Sequence, residues 1–160
     1  MGDFLHVVFN APPPRPTGRE LWAVGSSRWA RVAAPMMQQA IRDKAPIGQG
    51  NAATGRKPGA LKASITVRTA TAAGNVQLKA GSTVPYTAFV RDGTRAHTIV
   101  PVRKRSLSFV TDGGQRMFAA RVNHPGTRAN DFAKRGLAPR VPAIQETFSA
   151  VMRETYGGTA

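Results

Sequence analysis

Residues 17–44 read TGRELWAVGSSRWARVAAPMMQQAIRDK, and this stretch decides the fold class. Thr17 stands where a helix N-cap is expected, and Glu20 follows at capping-box spacing. Trp22, Trp29, Val32, Met36 and Ala40 recur at helical spacing and form one apolar stripe, which predicts a helix running to about Lys44. Pro35 falls inside it. A proline there removes a backbone hydrogen bond and crowds the carbonyl of Arg31, so a kink or two helices are expected. Two tryptophans on such a stripe read as core packing and not as a ligand site.

Upstream, Phe4–Phe9 is β-branched and aromatic and reads as a short strand. Ala11–Pro16 holds four prolines and reads as an extended spacer, so residues 1–17 form an N-terminal arm. Downstream, residues 48–60 (GQGNAATGRKPGA) are glycine-rich, lack bulky apolar groups and read as a mobile loop carrying Arg56 and Lys57. Ala63–Thr71 and Val76–Ala80 alternate around Gly74-Asn75 as a β-hairpin. Tyr86–Arg91 reads as one helical turn closed by Asp92-Gly93. His97–Val102 and Leu107–Val110 read as strands around the basic turn Arg103-Lys104-Arg105-Ser106, and Arg116–Val122 as a third strand. A short helix is expected near Asn130–Leu137. A last amphipathic helix is expected over Val141–Tyr156, with the stripe Ile144, Phe148, Val151 and Met152 and a stop at Gly157-Gly158. The plan is one α+β domain over 18–160, with helices at each end packed on an antiparallel sheet.

Charge is the other outstanding feature. The 160 residues carry 23 Lys+Arg against 8 Asp+Glu, a net +15. Residues 1–80 contribute +8 and residues 81–160 contribute +7, so the excess is spread over the fold and is not a basic tail. It points to a polyanion or an acidic protein surface nearby, or to a compositional bias towards Arg and Ala. With no cysteine, disulfide frameworks and thiolate metal sites are excluded. No run approaches the roughly 20 apolar residues of a membrane span, and the N-terminus lacks the basic start and long apolar stretch of a secretory signal. The expectation is therefore a soluble protein made and assembled in a reducing cytoplasm.

Catalytic chemistry finds little support. The eight acids are scattered and form no cluster able to hold Mg²⁺. No His-Glu-x-x-His pair, no nucleophile elbow and no phosphate-cradling loop is present. His97 and His124 could in principle serve a small nuclease, but they read more simply as loop caps bonded to backbone. No cofactor is expected. Aromatics make up only 7% of the chain and do not interleave with the basic residues, so the charge carries no nucleic-acid reader motif.

Three segments together resemble one known family. The first is Ala45-Pro46-Ile47-Gly48, followed after an insertion by Gly59-Ala60-Leu61-Lys62-Ala63-Ser64-Ile65. The second is Val84-Pro85-Tyr86-Thr87-Ala88-Phe89-Val90-Arg91-Asp92-Gly93-Thr94, then His97. The third is His124-Pro125-Gly126-Thr127, ending in Phe132. In order and spacing they are similar to the segments A-P-V-x-T-G-x-L-x-x-S-I, V-x-Y-A-x-F-V-E-F-G-T…H and H-P-G-T-x-x-x-x-F of phage tail-completion proteins, also called head–tail joining or neck proteins. The likeness covers roughly residues 28–156. It departs in the dozen residues inserted after Ala45-Pro46 and in Arg91, which stands where Glu is common. Physically the motifs read as folding elements. Ala-Pro ends a helix, Asp-Gly-Thr and His-Pro-Gly-Thr are tight turns, and Phe132 enters the core.

The resemblance implies a non-enzymatic virion protein of a long-tailed bacteriophage. It would form a ring, hexameric by analogy, between the tail tube and the head connector, with DNA passing through. Its partners would be further copies of itself, the connector or stopper, and the tail terminator or tail-tube proteins, with nonspecific contact to packaged DNA and none to membrane. Candidate interface or DNA-facing residues are Arg56, Lys57, Lys62 and the Arg103-Lys104-Arg105 tract, expected at a hairpin tip. A tail-terminator ring and a nonspecific nucleic-acid-binding protein are the alternatives.

Overall fold

The computed structural model describes residues 7–10, 19–48, 57–72, 75–111 and 114–157. The protein is α+β, as the sequence predicts. Helix α1 spans Arg19–Lys44 as one element, continuing through Pro35. Thr17 and Arg56 lie outside the described residues, as does most of the 48–60 loop.

The stripe that α1 buries is shifted from the one that apolar side chains alone suggest. Trp22 and Trp29 are buried, but so are Gly25, Ser26, Ala30, Ala33, Met37 and Ile41, while Val32 is exposed and Met36 only half-buried. The inward face is made largely of small residues because other helices come close there. A Cβ on Gly136 would run into the carbonyl oxygen of Ala40, and one on Gly25 would meet the Met152 sulfur. Small residues at such crossings let backbones approach, at the cost of a weak hydropathy signal.

The chain divides into two compact units, residues 1–88 with 131–160 and residues 89–130, where the sequence reads as a single domain over 18–160. In the first unit a three-stranded antiparallel sheet has the order β1-β3-β2, formed by β1 (Val7–Asn10), β2 (Ile65–Ala72) and β3 (Asn75–Ser82). The register runs from Ile65 opposite Ser82 to Ala72 opposite Asn75, and Val7–Asn10 pair with Ala80–Gln77. Part of the expected N-terminal arm is thus a strand of this chain's own sheet. Along β3 the residues Val76, Leu78 and Ala80 are buried in alternation, the period-two pattern of a strand with one face on the core.

Helix α1 packs against β2 and β3, against α4 (Phe132–Leu137) and against α5 (Val141–Gly157). Asp131 caps α4, its carboxylate accepting from the Lys134 amide, and this delivers Phe132 fully into the core. Trp29 is completely buried. Its indole N–H donates to the Ile144 carbonyl at 3.3 Å, and its ring meets Phe148 edge-on at 5.3 Å. A short helix α2 (Ala60–Ser64) turns directly into β2 at Ile65. The carbonyls freed at that break are taken up by α1: Gln38 donates to Ile65 O, and Arg42 donates to Ala63 O and Ile65 O. At the same end of the β2–β3 pair, the Ser82 hydroxyl sits between those of Ser64 and Thr87, at 2.8 and 2.9 Å, and donates to one of them, while Ser64 and Thr87 donate to the carbonyls of Leu61 and Val84. Every hydroxyl is satisfied, which makes the chain a structural tie.

Candidate interaction surface

The second unit, residues 89–130, is built differently. It opens from helix α3 (Thr87–Asp92) and contains two separate two-stranded sheets. In one, β4 (His97–Ile99) pairs with β7 (Val122–His124). In the other, β5 (Leu107–Val110) pairs with β6 (Arg116–Ala119). The single strand expected over Arg116–Val122 is therefore two strands belonging to different ladders.

The expected hairpin around Arg103–Ser106 does not form, because β4 and β5 pair with β7 and β6 and not with each other. The β5–β6 hairpin is closed instead by Thr111, whose amide donates to the Gln115 carbonyl, and by Gly114, which has φ +78° and whose amide donates to the Thr111 carbonyl. Residues 100–106 are a bulge between the two ladders, opposed on the returning strand only by residues 120–121. Arg103, Lys104 and Arg105 are exposed on that bulge, not at a tip.

Two turns close the base of this unit against each other. Thr94 and Thr127 exchange both backbone hydrogen bonds, at 2.9 and 3.0 Å, and the Asn130 amide donates to the carbonyls at Val90 and Arg91. Gly93 and Gly126 sit at φ +74° and +90° on either side of that exchange. A Cβ on Gly93 would strike the Thr127 carbonyl, and one on Gly126 the Thr94 carbonyl. Only glycine suits both conformation and contact. The Asp-Gly-Thr and His-Pro-Gly-Thr turns, read separately from the sequence, are thus two halves of one clasp. Arg91 donates twice to the Asp92 carboxylate at 2.7 Å, and this hydrogen bond holds the carboxyl below its usual range.

His97 and His124 are opposite one another on β4–β7, with stacked rings 5.1 Å apart. His97 Nδ1 donates to the Arg95 carbonyl, and His124 Nδ1 accepts from the Gly126 amide. Among the described residues neither ring is bonded to a carboxylate, and no three His, Asp or Glu side chains gather as a metal site. The pair caps the clasp, as the loop-capping reading expects.

The remaining motif residues divide by unit. Ala45 and Leu61 are buried in the first, Pro46, Ser64 and Tyr86 half-buried. Lys57 is exposed there and Lys62 half-buried. Phe89 is a correction to the reading of every motif residue as a folding element, because it is 61% exposed.

What sequence reasoning missed is the state of the whole second unit. Every buried apolar side chain among the described residues lies in the first unit, and none of the described residues of 89–130 is buried. Val102 is 92% exposed, Phe118 65% and Val110 61%. Around them Arg103, Lys104, Arg105, Arg116 and Arg121 are exposed, and none enters an ion pair among the described residues. A two-stranded hairpin is at best marginally stable alone in water, so a unit made of two, with its apolar groups outside, is suited to being covered.

Compared with protein-family models, with curated proteins and with solved structures, the chain matches none of them. No helix among the described residues is long and apolar enough to cross a membrane.

Proposed function

We propose that this chain is a structural virion subunit of a long-tailed bacteriophage, a head–tail joining protein of the neck. It acts by assembly and not by catalysis. One observation carries the reading. The first unit encloses a core, while none of the described residues of the second is buried, and Val102, Val110, Phe118 and the Arg103-Lys104-Arg105 tract stand exposed there. An enzyme needs a cleft with convergent polar groups. A subunit of an assembly needs surface that neighbours can complete, and the exposed apolar side chains and cations of residues 89–130 suit that role. The order and spacing of the three family-like segments direct that general reading to the phage neck. The clasp adds support, since it draws the second and third segments into one structural element.

In this reading copies of the chain close into a ring by heterologous side-to-side contacts, hexameric by the family resemblance. The ring joins the tail to the head connector, and DNA passes along its axis. A tail-terminator ring would use the same features. The exposed cations are the feature that favours the rival reading, a nonspecific nucleic-acid-binding protein.

Deletion of the gene from the phage tests the proposal. Electron micrographs are expected to show filled heads and finished tails unjoined, and a plasmid copy should restore them. Normal infectious particles from the deletion would refute the reading. Replacing Arg103, Lys104 and Arg105 with Ser should lower the yield of joined particles without lowering the melting temperature of the purified chain. Unchanged titre would remove this tract from the joining contact.

A further inference from the structure

We infer that the surface formed by residues 99–111 and 114–121 docks on a second, acidic protein whose contact surface also carries an apolar strip. The inference rests on the reading of the chain as an assembly subunit and names the chemistry of one of its partners.

The hairpin is apolar on both faces. Register places Leu107, Phe109, Met117 and Ala119 on one side and Val110 and Phe118 on the other. Among the described residues each of its strands pairs only with the other, which leaves both outer edges open. Something of mixed apolar and acidic character suits this surface, and three candidate occupants can be weighed.

A second copy of the chain is a poor match. Like surfaces would bring Arg103, Lys104, Arg105, Arg116 and Arg121 against their own counterparts, and like charges facing each other across an interface are costly. Nor do the described residues offer an acidic patch elsewhere. Among the described acids Asp92 is paired with Arg91 and Glu154 with Arg28, Asp131 caps α4, Asp43 accepts from Gln39, and Glu20 and Glu146 are exposed on α1 and α5. No group of three acidic or histidine side chains gathers anywhere among the described residues.

Nucleic acid is the next candidate. Its backbone would match the cations but has no use for Val100, Val102 and Val110. Nonspecific single-strand binding instead uses aromatic rings in succession along one groove. Here Phe109 and Phe118 fall on opposite faces of the hairpin, and no stacking platform results.

An acidic protein with an apolar strip matches both halves of the surface. Carboxylates meet the cations of the bulge and of Arg116, and the strip covers the hairpin face of Val110 and Phe118. Charge gives orientation and association rate, and the apolar contact gives residence.

The test uses the purified full chain and fluorescence anisotropy. The probes are a labelled peptide of alternating glutamate and valine, a poly-glutamate peptide with as many carboxylates, oligodeoxythymidylate, duplex DNA, and vesicles containing phosphatidylserine. The alternating peptide is expected to bind about tenfold more tightly than poly-glutamate. The double variant Val110→Ser/Phe118→Ser should erase that advantage. The triple variant Arg103→Ser/Lys104→Ser/Arg105→Ser should weaken binding of both peptides. All these positions are exposed, and a melting curve matching that of the parent chain shows that the core is intact. Equal binding of the two peptides, tighter binding of either DNA or the vesicles, or a dimer in sedimentation that Val110→Ser/Phe118→Ser abolishes would each overturn the proposal. Peptide binding is read on the purified chain and particle joining in the lysate, so the two readings can fail separately.

Discussion

The two units of this chain spend similar kinds of residues in opposite ways. In residues 1–88 and 131–160, tryptophans, Phe132, Ile65 and Leu78 are enclosed by helices and a three-stranded sheet, and the polar groups at breaks are met by Gln38, Arg42 and Asp131. In residues 89–130, Phe109, Val110, Met117 and Phe118 stand exposed on a two-stranded ladder, and order comes from backbone hydrogen bonds at a glycine clasp. Hydrophobic burial stabilises the first, and local backbone geometry shapes the second. The lesson is that an apolar residue's role is set by what the topology places over it, not by its own hydropathy.

Substitutions can break this contrast. The largest effect is expected in the first unit. Trp29→Ala removes a fully buried indole, its edge-on contact with Phe148 and its bond to Ile144, and should cost about 3–5 kcal/mol in urea denaturation. Phe118→Ala removes an aromatic ring that is 65% exposed in the second unit and should change stability by less than about 0.5 kcal/mol. A large loss at Phe118 would mean that the hairpin has a core of its own.

An intermediate effect is expected at the clasp. Gly126→Ala forces a Cβ towards the Thr94 carbonyl at positive φ, at a cost of order 1–3 kcal/mol confined to the second unit. The Thr94 and Thr127 amides should exchange faster by hydrogen-exchange mass spectrometry, while amides of α1 keep their protection. Loss of protection in α1 as well would show that the units unfold together.

The smallest effect concerns Asp92. Its folded pKa lies below the ordinary value, so its contribution to stability is present above the unfolded carboxylate pKa and is lost as pH falls through the folded one. The pair is exposed and screened, so the effect is slight. Asp92→Asn should lower the melting temperature slightly at neutral pH and make no difference in strong acid. A difference that persists in acid would assign the effect to packing of the side chain.

How far the sequence was legible follows the same division. Four helices were readable because periodicity and turn residues are local: α1 to Lys44, the turn at Thr87–Asp92, α4 and α5 stand near their expected bounds, whereas α2 falls where the end of a loop and the start of a strand were expected. The phase of α1 was misread because Gly25, Ala30 and Ala33 carry little hydropathy, yet sit where other elements approach. The β4–β5 pairing was misread because sequence order favours adjacent strands, and here the returning strands β6 and β7 win both partners. Both glycine turns of the clasp could be recognised, but not their exchange of hydrogen bonds, since that depends on the fold bringing Thr94 to Thr127. The exposure of the second unit was invisible for the same reason, because Phe118 and Leu78 look alike in sequence.

Hydrogen exchange on the purified chain, at a concentration where it is monomeric, tests the central claim most directly. Amides of Trp29–Ile41 and of the β2–β3 ladder should be strongly protected, while those of Leu107–Ala119 exchange at nearly the rate of an unstructured peptide. Protection of the β5–β6 hairpin equal to that of β2–β3 would contradict the account, because it would show a second unit that is complete without a partner.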